Sequence, residues 1–118
     1  MEKAVETLLT KYRIKYQKQI SVNFSTNGKK NFDFRINLND KQYYLETSFF
    51  NVAGSKPSEV IRSYQGILQK AQNNEINFCW ILDGKALKSV KGILKEIYLN
   101  NKDFMFTLAS FEQWLMKT

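Results

Sequence analysis

The stretch from Asn31 to Ser48, NFDFRINLNDKQYYLETS, constrains this chain more than any other. Phe32, Phe34, Ile36 and Leu38 alternate with Asp33, Arg35 and Asn37, the period of a strand with one apolar face. Tyr43 and Leu45 alternate with Tyr44, Glu46 and Ser48 on a second arm. Asn39-Asp40 lies between the arms, and both residue types tolerate the positive φ of a tight hairpin turn. A turn centred there sets Leu38 opposite Lys41, Arg35 opposite Tyr44, Phe34 opposite Leu45 and Asp33 opposite Glu46. Directly opposed Cβ atoms lie about 4.5–5.5 Å apart. One face of the hairpin is then apolar, and the other carries two carboxylates side by side.

Like charges directly opposed on a sheet destabilise it. Two readings fit the pair. Either the face is solvated and the charges coincide by chance, or the carboxylates hold a divalent cation that reverses the sign of the interaction. Mg2+ suits the second reading, because it takes hard oxygen ligands, keeps waters and accepts further oxygens from a phosphate.

Composition narrows the chemistry. The 118 residues suit one domain, 1–118, and 43% hydrophobic residues suffice for a compact core. No apolar run reaches the roughly 18 residues of a membrane span, so no membrane partner is expected. The opening MEKAVETLL is charged and amphipathic, unlike a signal peptide. The one cysteine, Cys79, lies in an apolar run as a buried thiol, which excludes an internal disulfide and fits a reducing cytoplasm. There is no histidine, which excludes Ser-His-Asp and Cys-His catalysis and His-ligated zinc. The formal charge of +7 fits a polyanionic partner such as nucleic acid, or serves solubility alone.

Taken in order, Met1 to about Arg13 reads as a helix with Val5, Leu8, Leu9 and Tyr12 on one face. Glu6 on this helix is either a dipole partner or an approach to a metal. Ile14 to Gln19 reads as a connection. Ile20, Val22 and Phe24 make a strand, Asn27-Gly28 a turn, and Lys29 and Lys30 lead into the hairpin. Phe49 to Pro57 is a loop. A helix follows with Val60, Ile61, Tyr64, Ile67, Leu68 and Ala71 on one unbroken apolar face. Ile76 to Leu82 is a strand buried on both faces. A helix from about Lys85 to Leu99 turns Leu87, Val90, Ile93, Leu94, Ile97 and Tyr98 inward. Its Lys85, Lys88, Lys91 and Lys95 either grip phosphates or are simply solvated. Phe104 to Leu108 is a strand, and Ser110 with Gln113 forms a capping box for a last helix. Three strands form an antiparallel meander, and the later two, alternating with helices, lie parallel and extend a mixed sheet.

An αβββαβ core with Asp at the start of its second strand and Glu near the end of its third resembles the PD-(D/E)XK nuclease fold, an α/β fold with a mixed sheet flanked by helices. The series FDFRI, YYLETSFF, GSKPSEVIRSY and FCWILDG is similar to the catalytic part of DpnII/MboI-type restriction endonucleases, over about Phe32 to Leu94. The resemblance implies a Mg2+-dependent endonuclease, with Mn2+ as a substitute, that cuts double-stranded DNA at GATC. It implies Asp33 and Glu46 as metal ligands. The family pattern has a lysine two residues after the Glu, where this chain has Ser48. Lys56 is the candidate for a basic residue that has moved to a neighbouring element. Ser48, Glu59 and Glu6 are the auxiliary candidates. Arg35, Lys29, Lys30, Lys85 and Lys88 are candidates for DNA contact, although Arg35 has an alternative as a partner of Asp33 or Glu46. A homodimer would serve a double-strand cut.

Overall fold

The computed structural model describes residues 2–23, 29–50 and 57–117. Its elements are α1 (Glu2–Lys11), β1 (Tyr16–Asn23), β2 (Lys29–Leu38), β3 (Lys41–Phe49), α2 (Pro57–Asn73), β4 (Phe78–Asp83), α3 (Lys91–Asn100), β5 (Met105–Phe106) and α4 (Leu108–Met116), with a 3-10 helix at Lys85–Val90. One sheet runs in the order β1-β2-β3-β4-β5. The first three strands are antiparallel neighbours, and β3, β4 and β5 are parallel. This is the mixed α/β sheet that the sequence implies.

The hairpin forms as its turn chemistry dictates. Asn39 and Asp40 take φ of 50° and 66°, the left-handed pair of a two-residue turn. The register follows, from Leu38 opposite Lys41 to Phe34 opposite Leu45. The Asn27-Gly28 turn and Phe24 lie outside the described residues.

Helices cover both faces. Val5 and Leu9 of α1 and Phe111 and Leu115 of α4 bury Phe34, Ile36, Leu38, Leu45, Cys79 and Ile81. On the opposite face, Ile61, Leu68 and Ala71 of α2 and Ile97 of α3 bury Phe32, Phe78, Trp80 and Leu82. β4 therefore alternates between two apolar layers, which explains its unbroken apolar sequence.

Several boundaries differ from expectation. β1 begins at Tyr16, so Ile14 to Gln19 is not merely a connection. The Tyr16 ring meets Phe34 edge-on at 5.8 Å and anchors the start of the strand. The helix expected from Lys85 is split at Val90. Gly84, at φ 120°, passes so close to Phe50 that an added Cβ would lie 2.2 Å from its carbonyl oxygen, and the Ala86 N–H donates to that oxygen. This tie holds the first turns in the tighter 3-10 form. Tyr98 is exposed rather than inward. β5 is only two residues long, and Thr107, not Ser110, is the N-cap of α4, with Ser110 completing the capping box.

One departure positions the site. β1 and β2 keep a single register from Tyr16 opposite Ile36 to Asn23 opposite Lys29, but no pairing forms between Gln19 and Asp33. Gln19 has φ 53°. Tyr16 and Phe34 pack on the α1 and α4 face, whereas Val22 and Phe32 pack on the α2 face. In a regular strand residues i and i+2 share a face. Both strands therefore turn over at this point, and the greasy face expected of the hairpin is divided between two layers. Helices bury both layers, so the reversal sacrifices no apolar burial.

Candidate active site

Asp33 sits at the reversal in β2, and Glu46 lies beside it on β3. The regular pairing of the two strands ends at Phe34 and Leu45. Beyond it, the Thr47 N–H donates to Asp33 Oδ2 at 2.8 Å, and the Thr47 hydroxyl donates to the same oxygen at 2.9 Å. The Asp33 side chain thus takes a backbone donor that would otherwise serve the ladder, and is fixed in return. Sequence reading missed Thr47. A hydroxyl one residue after the Glu is a signal only once the partner strand is known to splay there.

Glu46 is the one buried charged residue among the described residues, at 4% exposure. Its Oε2 accepts from the Lys30 ammonium, and a long hydrogen bond from the Tyr64 hydroxyl reaches it at 3.4 Å. Burial, then the neighbouring Asp33 carboxyl, push its pKa from 4.5 up to about 7, against the lowering influence of Lys30. Asp33 is thus near enough to Glu46 to raise its pKa, on the strand that the hairpin register sets beside it.

Lys30 reaches Glu46 because β2 turns over. By simple alternation Lys30 would share a face with Phe34 and Ile36 and point away from Glu46. The reversal instead puts Lys30 and Phe32 on the α2 face. The Lys30 ammonium lies 5.8 Å from the ring centres of both Phe32 and Tyr64. Its side chain is 27% exposed, so this cation is half-buried against the carboxylate rather than on an open surface.

The wall behind Glu46 is aromatic. Tyr64 of α2 stacks on Trp80 of β4 at 4.6 Å between ring centres, and the Trp80 indole N–H donates to Ser48 Oγ at 3.0 Å. Tyr64 is therefore a lining residue of the site as well as part of the core. Ser48 shares a face with Glu46, as expected, and holds Trp80.

The other sequence-derived candidates lie elsewhere. Glu6 accepts from the Tyr16 hydroxyl at 2.8 Å and from Lys18 at 3.2 Å, bonds that hold its carboxyl below the ordinary range. It belongs to the α1 face, across the sheet from Glu46, and is not brought to the carboxylate pair. Arg35 pairs with Gln17. Glu59 is exposed in the first turn of α2, and Lys29, Lys85 and Lys88 are exposed. Lys56 lies outside the described residues. Cys79 is fully buried, and burial pushes its thiol far above the ordinary range, the opposite of a nucleophile. An apolar groove of about 710 Å³ at the β5 edge, lined by Leu82, Leu87, Leu94, Tyr98 and Met105 among others, shares no residue with the carboxylate site.

The DpnII restriction endonuclease family model matches residues 1–118. The chain belongs to the DpnII restriction endonuclease family. It is 34% identical to the type II restriction enzyme MboI of Moraxella bovis, over 98% of this chain and 44% of that protein. It is 33% identical to the type II restriction enzyme MjaIII of Methanocaldococcus jannaschii, over 92% of this chain and 38% of that protein. The chain thus spans less than half the length of these relatives. The crystal structure of the protein of unknown function AF1548 aligns with 78% of this chain and 53% of that one, at TM-score 0.49 and 14% identity. Among the described residues of this family member, no helix is long and apolar enough to cross a membrane.

Proposed function

We propose that this chain is a divalent-metal-dependent endodeoxyribonuclease that hydrolyses phosphodiester bonds of double-stranded DNA, with GATC as its site and Mg2+ as its ion, Mn2+ substituting. The observation that carries this reading is a buried Glu46 with Asp33 near it on the adjacent strand, in a member of a restriction endonuclease family. The net charge of +7 supports a polyanionic substrate.

The donor set fits the metal. Both groups are hard carboxylates on paired strands, Thr47 fixes one, and Lys30 and Tyr64 fix the other. Two neighbouring carboxyls repel when both ionise, and a cation between them removes that cost. Among the described residues no cluster of three or more acidic, Cys or His side chains gathers. Among the described residues Asp33 and Glu46 would hold the ion, which suits Mg2+, an ion that keeps several waters and takes substrate phosphate oxygens. When bound, a divalent ion supplies Lewis acidity, lowering the pKa of water and offsetting charge on the phosphate.

The chain's own residues set the geometry. Thr47 orients Asp33, and the Tyr64–Trp80 wall keeps bulk water from the buried side of Glu46. The oxygen of an attacking water bonds to phosphorus as the bond from phosphorus to O3′ breaks. The electron pair leaves on O3′, which takes a proton, while the water gives up its own. Lys56 and Glu59 keep the auxiliary places that the family resemblance implies, and Lys29, Arg35, Lys85 and Lys88 those of backbone contacts. A homodimer would cut both strands, in the cytoplasm where host DNA lies.

The test is plasmid cleavage with Mg2+, Mn2+ or EDTA, on DNA with and without adenine methylation at GATC, beside Asp33→Asn and Glu46→Gln. Metal-dependent cutting into a discrete GATC pattern, lost in both variants with DNA affinity kept, is the expected result. Diffuse nicking that the variants lack would keep the chemistry and assign recognition to parts found in the longer relatives. Ser48 in the usual lysine position favours one second reading, a DNA-binding module without catalysis. Salt-sensitive DNA binding with no turnover in any metal would establish it.

A further inference from the structure

Phosphodiester hydrolysis gathers negative charge on the phosphate, and here it would do so beside two carboxylates. A site of that charge needs preorganised cations near the reacting phosphate. One is the divalent ion of the nuclease reading, on which this inference rests. We propose that the second is Lys30, delivered to the carboxylate pair by the reversal of β1 and β2 at Gln19 and Asp33, and that its ammonium contacts the scissile phosphate and stabilises the charge that develops there.

Four observations converge on Lys30. Its ammonium contacts Glu46 Oε2, inside the constellation that would hold the ion. The aromatic faces of Phe32 and Tyr64, each 5.8 Å away, confine it. It remains 27% exposed while Glu46 is 6% exposed by side chain, so of the two partners the lysine is the one that solvent and a substrate can reach. Finally, Ser48, on the face of Glu46, carries no charge and is engaged with Trp80. Among the described residues, Lys30 is the one cation in ion-pair contact with either carboxylate.

A purely structural role is the competing account. Lys30 would then neutralise Glu46 in the metal-free protein and become dispensable once an ion is bound. The two accounts differ at saturating metal. The experiment compares wild type, Lys30→Met, Lys30→Arg and, as a control for loss of a lysine ion pair on the other face, Lys18→Met. Three quantities are read: single-turnover cleavage of a duplex containing GATC at saturating Mn2+, Mn2+ affinity by titration, and duplex affinity by fluorescence anisotropy in EDTA.

Lys30→Met should slow cleavage by about 10²-fold or more at saturating Mn2+, the scale of losing one charge-stabilising donor. Its Mn2+ affinity should be equal or tighter, because Glu46 loses a competing cation. Lys30→Arg, which keeps the charge and the pair with Glu46, should recover about tenfold or more of the rate, and Lys18→Met should cut at the wild-type rate. Melting curves set the temperature so that every variant is folded. If Lys30→Met is unstable there, the comparison of Lys30→Arg with Lys30→Gln decides in its place. Cleavage by the charge-removed variant within about threefold of wild type at saturating metal would overturn the proposal and leave Lys30 a counter-ion. Failure of wild type to cut with any metal would overturn the nuclease reading and this proposal with it. Normal wild-type cutting with an unaffected variant would overturn this proposal alone.

Discussion

The buried Glu46 carboxyl should make the metal-free protein less stable as pH rises. Its ordinary pKa is 4.5, and in the folded protein burial and Asp33 push it up to about 7. Below the lower value the group is protonated in both folded and unfolded chains, so nothing is lost. Between the two values the folded chain binds more protons, so stability falls as pH rises. Above the upper value both are ionised, and the folded chain carries the full cost. At about 1.4 kcal/mol per pH unit, that cost is about 3 kcal/mol. Glu46→Gln keeps the shape and removes the titration. Urea unfolding in EDTA, followed by circular dichroism from pH 4.5 to 7.5, should show the variant gaining about 3 kcal/mol on wild type across the window. With a slope of about 2 kcal/mol per molar urea, the midpoints separate by about 1.5 M. Glu6 and Glu112 are held below the ordinary value by their tyrosine and lysine partners, so their contributions are lost as pH falls instead. They are common to both proteins and cancel in the difference. Adding Mg2+ at pH 7.5 should restore wild type and leave the variant where it was, because only the wild-type pair gains from a cation. Parallel curves for the two proteins, or a wild type that gains on the variant with rising pH, would refute the reasoning.

Other consequences are local. Gly84→Ala should cost about 2–4 kcal/mol, since the new Cβ would meet the Phe50 carbonyl at 2.2 Å and φ is 120°, and an unchanged melting temperature would rule out that close approach. Phe34→Ala should cost about 3–5 kcal/mol in urea unfolding, because the ring is fully buried between α1 and the sheet. Thr47→Val removes the hydroxyl donor to Asp33 and should cost about 1 kcal/mol while slowing cleavage, with Thr47→Ser restoring the rate. A Thr47→Val enzyme at full speed would mean that Asp33 needs only the backbone N–H. Thr107→Ala should cost about 1 kcal/mol through loss of the α4 cap, read from the same unfolding curves.

What was legible in the sequence was what local chemistry decides. Asn39-Asp40 fixed the hairpin because two left-handed residues set the register, and that register, extended past its last pair at Phe34 and Leu45, sets Asp33 beside Glu46. The apolar run from Ile76 to Leu82 fits a strand with a layer on each side, and β4 alternates between two such layers from Phe78. Tyr64 was harder. Its place on the stripe of α2 shows that it faces inward, but not that the sheet face it meets carries a buried carboxylate. Lys30 was legible only as a candidate for DNA contact, not as the partner of Glu46. The apolar residues Phe32, Phe34, Ile36 and Leu38 read as unbroken alternation, and parity sends Lys30 to the wrong face. The reversal depends on a positive φ at Gln19, a residue type with no special leaning towards it.

Ser48 and Lys30 are best understood as two parts of one arrangement. A lysine at position 48 would share the face of Glu46, but the space beside Glu46 is bounded by the Tyr64–Trp80 stack, and Ser48 holds that stack through the indole N–H. A long cationic side chain there would lose this bond and compete with the wall that buries Glu46. Bringing the cation from β2 avoids the conflict. It requires β2 to turn over at Asp33, which is possible only because helices cover both faces and Phe32 finds an apolar layer on the far side. It also requires β1 to turn over in step, which Gln19 provides without loss of register. The splayed backbone at Asp33 is then closed by Thr47 rather than by the ladder. Strand reversal, the small residue at 48, the aromatic wall and the Thr47 clasp each supply what another leaves missing, so the position of the lysine follows from the fold of two whole strands.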